Sequence, residues 1–100
     1  MAKDTATSAE KVLRCMVALK GHTLSGLSNQ ELSRMTGFDP SSVTRYMQTL
    51  IEVGLVTKLD NGRFAHSVTL LQIAFAHAEH VERTQNRISE INQRIAAGAA

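Results

Sequence analysis

The chain is poor in the residues that build catalytic, metal or disulfide chemistry. Its one cysteine, Cys15, has no second thiol with which to close an internal disulfide. No further cysteine stands beside the four histidines to supply a zinc-ligand pattern. Cys15 lies in an apolar stretch, where a thiol reads as a small core residue rather than a reactive one. Tryptophan is absent, and Pro40 is the single proline. No apolar run approaches the roughly 20 residues needed to cross a bilayer. The stretch 1–8 is polar and lacks the apolar centre of a signal peptide, and 1–7 reads as an unstructured lead-in. No nucleophile–base constellation, paired catalytic carboxylates or phosphate-binding loop is present. These absences set the expectation of a cytoplasmic protein that is not an enzyme, meets no membrane, and carries no metal or cofactor.

Excess charge of one sign is scarce as well. Net charge is +2. Eight basic and six acidic residues lie up to Ser67, and three of each follow from Val68. An excess this small carries no argument for nucleic-acid binding by itself, so the argument must rest on organisation. One hundred residues make about one domain with a modest core, which a partner subunit would reinforce.

That organisation is a run of capped helices. Thr7 and Glu10 fit a capping box for a first helix reaching about Lys20, with Val12, Leu13, Met16, Val17 and Leu19 mostly on one side. Gly21 stops it, and His22 to Leu27 read as a loop. Ser28-Asn-Gln-Glu31 is a cleaner capping box for a short helix over 29–36, with Leu32 and Met35 as its buried pair. Gly37 supplies the left-handed residue that ends it. Asp39-Pro40 then opens a third helix, with aspartate as N-cap and proline at the first helical position, running to about Val53 before Gly54. Helix, tight glycine turn, helix is the helix-turn-helix arrangement. After Gly54 the period changes to alternation. Leu55 to Leu59 and Arg63 to His66 read as strands, and Asn61-Gly62 between them predicts a type I′ turn. A hairpin in that place is a wing. Ser67 caps a last helix from Val68 to about Ala96. The expected fold is mainly α with a small β-hairpin. A winged helix-turn-helix domain occupies 8–67, and a long C-terminal helix occupies 68–97.

In the third helix, Val43, Tyr46, Met47, Leu50 and Ile51 share one face at 100° per residue, which should be core. Ser41, Arg45 and Gln48 line the opposite face, with Ser42 and Thr44 on its flank. Small hydroxyl residues let a helix enter a major groove. Arginine pairs with guanine and glutamine with adenine there, and recognition helices read bases from their N-terminal residues. Glu52 has the wrong sign. Phosphate contacts are expected from the N-terminus of the second helix, Ser28, Asn29 and Gln30. Arg34 stands near the turn, Lys58 and Arg63 lie on the wing, and Asn61 is at its tip. Arg63 has the chemistry to enter a narrow minor groove. For Arg14 and Lys20 a solvated surface charge is the expectation.

The stretch Gly37-Phe-Asp-Pro-Ser-Ser-Val-Thr-Arg-Tyr-Met-Gln-Thr-Leu-Ile-Glu-Val-Gly54 resembles the turn and recognition helix of the IclR-type transcription regulators. Leu27-Ser-Asn-Gln-Glu-Leu-Ser33 before it and Leu55-Val-Thr-Lys58 with Arg63-Phe-Ala65 after it are similar too. The likeness covers about Val12 to Ile73, with Pro40 one place later than the family's usual proline. It implies operator binding through Ser41, Ser42, Thr44 and Arg45. The family's large effector domain has no counterpart in this sequence, so the resemblance implies no effector sensing. A compact stand-alone form of this kind resembles a phage or prophage regulator.

In the last helix, Ala74, Val81, Ile88 and Ile95 recur every seven residues, and His77, Thr84 and Ile91 fill the other inward position. This is a partial coiled-coil seam. Leu70, Leu71, Ile73 and Phe75 are expected to pack on the preceding domain. The expectation is thus a homodimer, joined through this helix, that binds double-stranded DNA to regulate transcription. The competing expectation is a protein-interaction module that binds a repressor or polymerase component without touching DNA.

Overall fold

The computed structural model describes residues 4–99. Its elements run α1 (Thr7–Ala18), α2 (Asn29–Thr36), α3 (Pro40–Glu52), β1 (Val56–Lys58), β2 (Phe64–His66) and α4 (Val68–Ala99). The chain divides into two compact units, Met1–Leu70 and Leu71–Ala100. The first is a winged helix-turn-helix. Residues 1–3 of the expected lead-in lie outside the described residues, and Thr7 already opens α1.

Each helix of the first unit starts where its capping chemistry dictates, with one exception. The expected box at Thr7 does not form. Ala6 is the N-cap without a side-chain bond, and Glu10 instead binds Thr5 Oγ1 (3.1 Å) and Arg14 (2.9 Å). At α2 the box is complete: Glu31 N donates to Ser28 Oγ (3.1 Å) and Ser28 N donates to Glu31 Oε1 (2.8 Å). At α3, Ser42 N donates to Asp39 Oδ1 (2.8 Å), and Pro40 takes the first turn, where no N–H is needed.

The turn between α2 and α3 is tied on both sides. Gly37 takes φ 80° and its N–H donates to Ser33 O (2.9 Å). Thr36 Oγ1 donates to Leu32 O (2.7 Å) and accepts from Phe38 N (3.2 Å). Ser33 Oγ donates to Phe38 O (2.6 Å), and the Phe38 ring meets Tyr46 edge-on at 5.6 Å.

The core gathers one face from each element: Cys15 of α1 with Leu19 at its C-cap, Leu32 of α2, Val43, Met47 and Leu50 of α3, and Val56, Phe64 and Leu27 from the strands and their neighbour. Burial raises the Cys15 thiol pKa, as its place in this core requires. Two expectations are corrected. Met35 is 56% exposed, so Leu32 alone anchors α2. At α1 the buried line runs through Cys15 and the C-cap Leu19, leaving Leu13 and Val17 outside.

The wing is antiparallel, with Val56 opposite His66, Thr57 opposite Ala65 and Lys58 opposite Phe64. Its turn is not type I′. Gly62 N donates to Leu59 O (2.9 Å) and Leu59 N donates to Arg63 O (2.7 Å). Gly62 has φ 84° and no non-glycine residue among those described has positive φ, so Asn61 keeps a negative φ. This is a three-residue loop, a type I turn closed by a glycine bulge. The wing also has a third rail. Leu27 exchanges both backbone bonds with Phe64 (2.9 and 2.8 Å), an antiparallel bridge within the expected loop.

Two side chains fasten the hairpin to the helices. His66 Nε2 donates to Met16 O (2.8 Å). Ser67 Oγ donates to Gly54 O (2.6 Å) and accepts from Leu70 N (3.1 Å), so Ser67 caps α4 as expected.

The second unit is a single helix. Leu71, Ile73 and Phe75 are exposed, while Leu70, at the end of the first unit, is half-buried. Val81, Ile88, Ile91 and Ile95 are exposed as well. No helix among the described residues is long and apolar enough to cross a membrane.

Candidate nucleic-acid interface

The outer face of α3 follows from its inner one. Burying Val43, Met47 and Leu50 at helical spacing turns Ser41, Thr44, Arg45 and Gln48 outward, and all four are exposed. Ser42 is half-buried beside them. Ser41 Oγ donates to Asp39 Oδ1 (3.4 Å), and Thr44 Oγ1 donates to Pro40 O (3.1 Å). Arg45 leans its guanidinium over the Tyr46 ring at 5.8 Å, which fixes the stem while leaving donors at the tip. Gln48 makes no hydrogen bond among the described residues.

Asp39 holds the start of this face. Its carboxyl pKa is lowered, chiefly by the hydrogen bonds from Ser42, so it stays charged at the α3 N-terminus. Asp39 is itself exposed and accepts from Ser41 Oγ, so its negative charge borders the exposed row at its first residue.

The other nominated contacts divide by what their polar atoms already do. Asn29 Nδ2 donates to Pro40 O (3.1 Å) and Thr44 Oγ1 (2.8 Å). A backbone carbonyl only accepts, so this amide orientation is fixed, and both of its hydrogens are used within the fold. Asn29 therefore bolts the N-terminus of α2 to that of α3. The hydroxyl and backbone N–H of Ser28 are spent on the capping box. Gln30 and Arg34 are exposed on α2.

Arg63 sits differently from the expectation of a minor-groove probe. Its Nη2 donates to Glu31 Oε1 (2.6 Å), and its Nε is shared between Ser25 O (3.2 Å) and Gly26 O (3.4 Å). The side chains of Arg63 and Glu31 are 34% and 35% exposed. Arg63 clamps the base of the wing to the start of α2. The Glu31 pKa is lowered, first by the bond from Ser28 N and further by Arg63. Lys58 is exposed, with its ammonium 5.9 Å from the Phe64 ring centre. Asn61 is exposed, and its Oδ1 accepts from Arg63 N (3.0 Å), leaving the amide NH₂ outward.

Two residues that position the site carry little signal in the sequence. Glu31 reads only as a cap, yet it also receives the wing clamp. Gly26 is buried at φ 72°. A Cβ there would lie 2.9 Å from Phe64 O, 2.9 Å from Leu59 Cδ1 and 3.0 Å from Arg63 Cβ. Neither residue's second neighbour is close in sequence. Among the described residues, no group of three His, Cys, Asp or Glu side chains gathers to hold a metal ion.

Comparison with known proteins agrees with this geometry. The crystal structure of an IclR family transcriptional regulator from Brucella abortus matches 75% of this chain with a TM-score of 0.64 at 21% identity, which speaks to the fold. The chain spans 28% of that regulator's length. No curated protein sequence matches it. The IclR helix-turn-helix domain matches residues 8–60, which takes in α1, α2, the turn, α3 and β1. With more than half of its length so matched, the chain belongs to the IclR helix-turn-helix domain family.

Proposed function

We propose that this protein is a sequence-specific transcription regulator that binds double-stranded DNA as a homodimer. The reading rests on one observation above the rest: the exposed row Ser41, Thr44, Arg45 and Gln48 on a helix whose other face is locked in the core. Small hydroxyls, one arginine and one amide make a surface that fits a major groove and carries donors and acceptors for base edges. Arg45 takes a guanine, and Gln48 takes an adenine. Ser41, Ser42 and Thr44 pack against the sugar–phosphate walls and thymine methyl groups. Gln30, Arg34, Lys58 and the amide of Asn61 supply phosphate contacts on either side. The Brucella neighbour is named as a transcriptional regulator, which accords with the same role. Dimerisation is assigned to the exposed seam of α4, Ala74, His77, Val81, Thr84, Ile88, Ile91 and Ile95.

Selection of bound duplexes from random DNA tests the reading. An enriched motif with two related half-sites, spaced by about 10 base pairs or a multiple, is the expected result. Failure to retain any duplex even at low salt, where phosphate contacts are strongest, would favour the competing role as a protein-interaction module.

A further inference from the structure

We infer that α4 pairs with α4 of a second copy as a parallel two-stranded coiled coil, with each Arg87 beside Asn92 of the partner subunit. This rests on the homodimer reading above and adds the orientation, the strand number and the register.

The inward positions come first. Val81, Ile88 and Ile95 occupy one inward position of successive heptads, and all are β-branched. A parallel two-stranded coil favours β-branched side chains at that position. The other inward position holds His77, Thr84 and Ile91. Isoleucine at both positions throughout would favour three or four strands, and here two of three are polar, which opposes that outcome. These apolar side chains are exposed along a helix with no other element in its unit, so the seam is uncovered in the single chain.

The flanks decide the direction. One flanking position carries His80, Arg87 and Arg94; the other carries Ala78, Gln85 and Asn92. The first flank holds cations and one histidine, and the second is neutral. In an antiparallel coil each flank faces its own kind, so Arg87 and Arg94 would confront the partner's cations. Glu79, Glu82 and Glu90 lie on outer positions of the heptad and do not intervene. In a parallel coil the first flank of one helix faces the second flank of the other, five residues on. His80 then meets the partner's Gln85, and Arg87 meets the partner's Asn92, whose amide oxygen accepts from the guanidinium. Cation–cation contact is removed and a hydrogen bond replaces it. A parallel coil also begins both copies of α4 at the same end.

Pulsed dipolar spectroscopy on the full chain tests this. A spin label is placed on a single added cysteine at Glu79, Asn86 or Gln93 in turn, all outer positions of the same heptad register. The unsubstituted chain, whose Cys15 is fully buried, is the labelling blank. A parallel coil gives one common distance at all three sites. In an antiparallel coil the axial separation of a labelled pair changes by about 21 Å for each seven-residue step away from the crossing centre, so the three distances cannot agree. Unequal distances overturn the parallel assignment and leave the dimer standing. A modulation depth of three or more spins overturns the strand number. No dipolar modulation at all overturns the dimer itself. As an independent arm, Asn92→Glu places a carboxylate beside the partner's Arg87 only in the parallel register. Dimer affinity should then rise about two- to five-fold. An unchanged or weakened dimer would refute the register.

Discussion

Replacing Gly26 with alanine tests how the wing is seated. Gly26 and Gly62 both hold left-handed backbone, at φ 72° and 84°, so alanine suffers a similar conformational cost at either, about 1 kcal/mol. Their surroundings differ. A Cβ at Gly62 meets nothing within 4 Å, whereas one at Gly26 lies 2.9 Å from Phe64 O and 3.0 Å from Arg63 Cβ. Leu59 Cδ1, also at 2.9 Å, is the end of a flexible side chain and can rotate away. The Phe64 carbonyl cannot yield so easily, because it accepts from Leu27 N at 2.9 Å and belongs to the bridge between Leu27 and β2. Overpacking of this kind costs about 1–3 kcal/mol, and each strained backbone bond adds about 1. Gly26→Ala should therefore lose about 2–4 kcal/mol more than Gly62→Ala, a large share of the stability of a small domain. Urea unfolding followed by far-UV circular dichroism measures both variants against the parent. If the two differ by less than about 0.5 kcal/mol, the close approach of Gly26 to the wing does not constrain the fold, and the three-rail description of the wing fails.

Other outcomes follow from the division of polar residues into braces and contacts. Arg63→Ala should lower the melting temperature yet leave the slope of log affinity against log salt unchanged; a slope reduced by about 0.9 with stability intact would make Arg63 a phosphate contact instead. Arg45→Ala should weaken the best duplex by about 1–3 kcal/mol and relax preference at one base pair, whereas an equal loss on all duplexes would reassign Arg45 to the backbone. Asp39 and Glu31 both have folded pKa values below their ordinary ones, so their contribution is complete above the ordinary carboxylate range and is lost as pH falls through the lowered values. Urea midpoints should be flat near neutrality and drop in acid, and Asp39→Asn should flatten that drop; an unchanged acid limb would count against the Asp39 cap.

What the sequence made legible was local chemistry. Ser28 with Glu31, Asp39 with Pro40, and Gly37 fix helix ends within a few residues of themselves, and each end forms where those residues stand. The contacts it did not reveal share the opposite property. Arg63 looks like a free wing cation because its partner Glu31 is 32 positions away. Leu27 looks like loop because a single bridge has no period to detect, and its pairing with Phe64 depends on the whole domain closing. Asn29 looks like a phosphate ligand until α3 brings Pro40 O and Thr44 to it. Asn61-Gly62 correctly marks a hairpin, but the same dipeptide serves a two-residue or a three-residue loop. The flanking strands choose between them, here through the bond from Leu59 N to Arg63 O. The α3 reading face was legible because amphipathic spacing alone sorts it.

The arrangement of braces also sets how strongly one copy can hold DNA. With Arg63 turned to Glu31, and Arg14 paired with Glu10, the cations proposed above to meet DNA are Arg34, Arg45 and Lys58. If Arg45 is spent on a base, two remain for phosphates, together with uncharged N–H donors that release no counterion when they bind. One head then gives a log–log salt slope of about −2, and two heads give about −4. A slope of that smaller size means weak capture at physiological salt, so useful affinity depends on linking the heads, where the second binds at an effective concentration set by the tether. Titrating a two-half-site duplex across salt, at protein concentrations above and below the dimer's own dissociation point, reads both quantities. The slope should double and the affinity should rise by a factor of a hundred or more as dimers form. A slope near −2 at every protein concentration, on DNA that carries both half-sites, would mean that the heads act singly and that α4 serves some purpose other than holding them together.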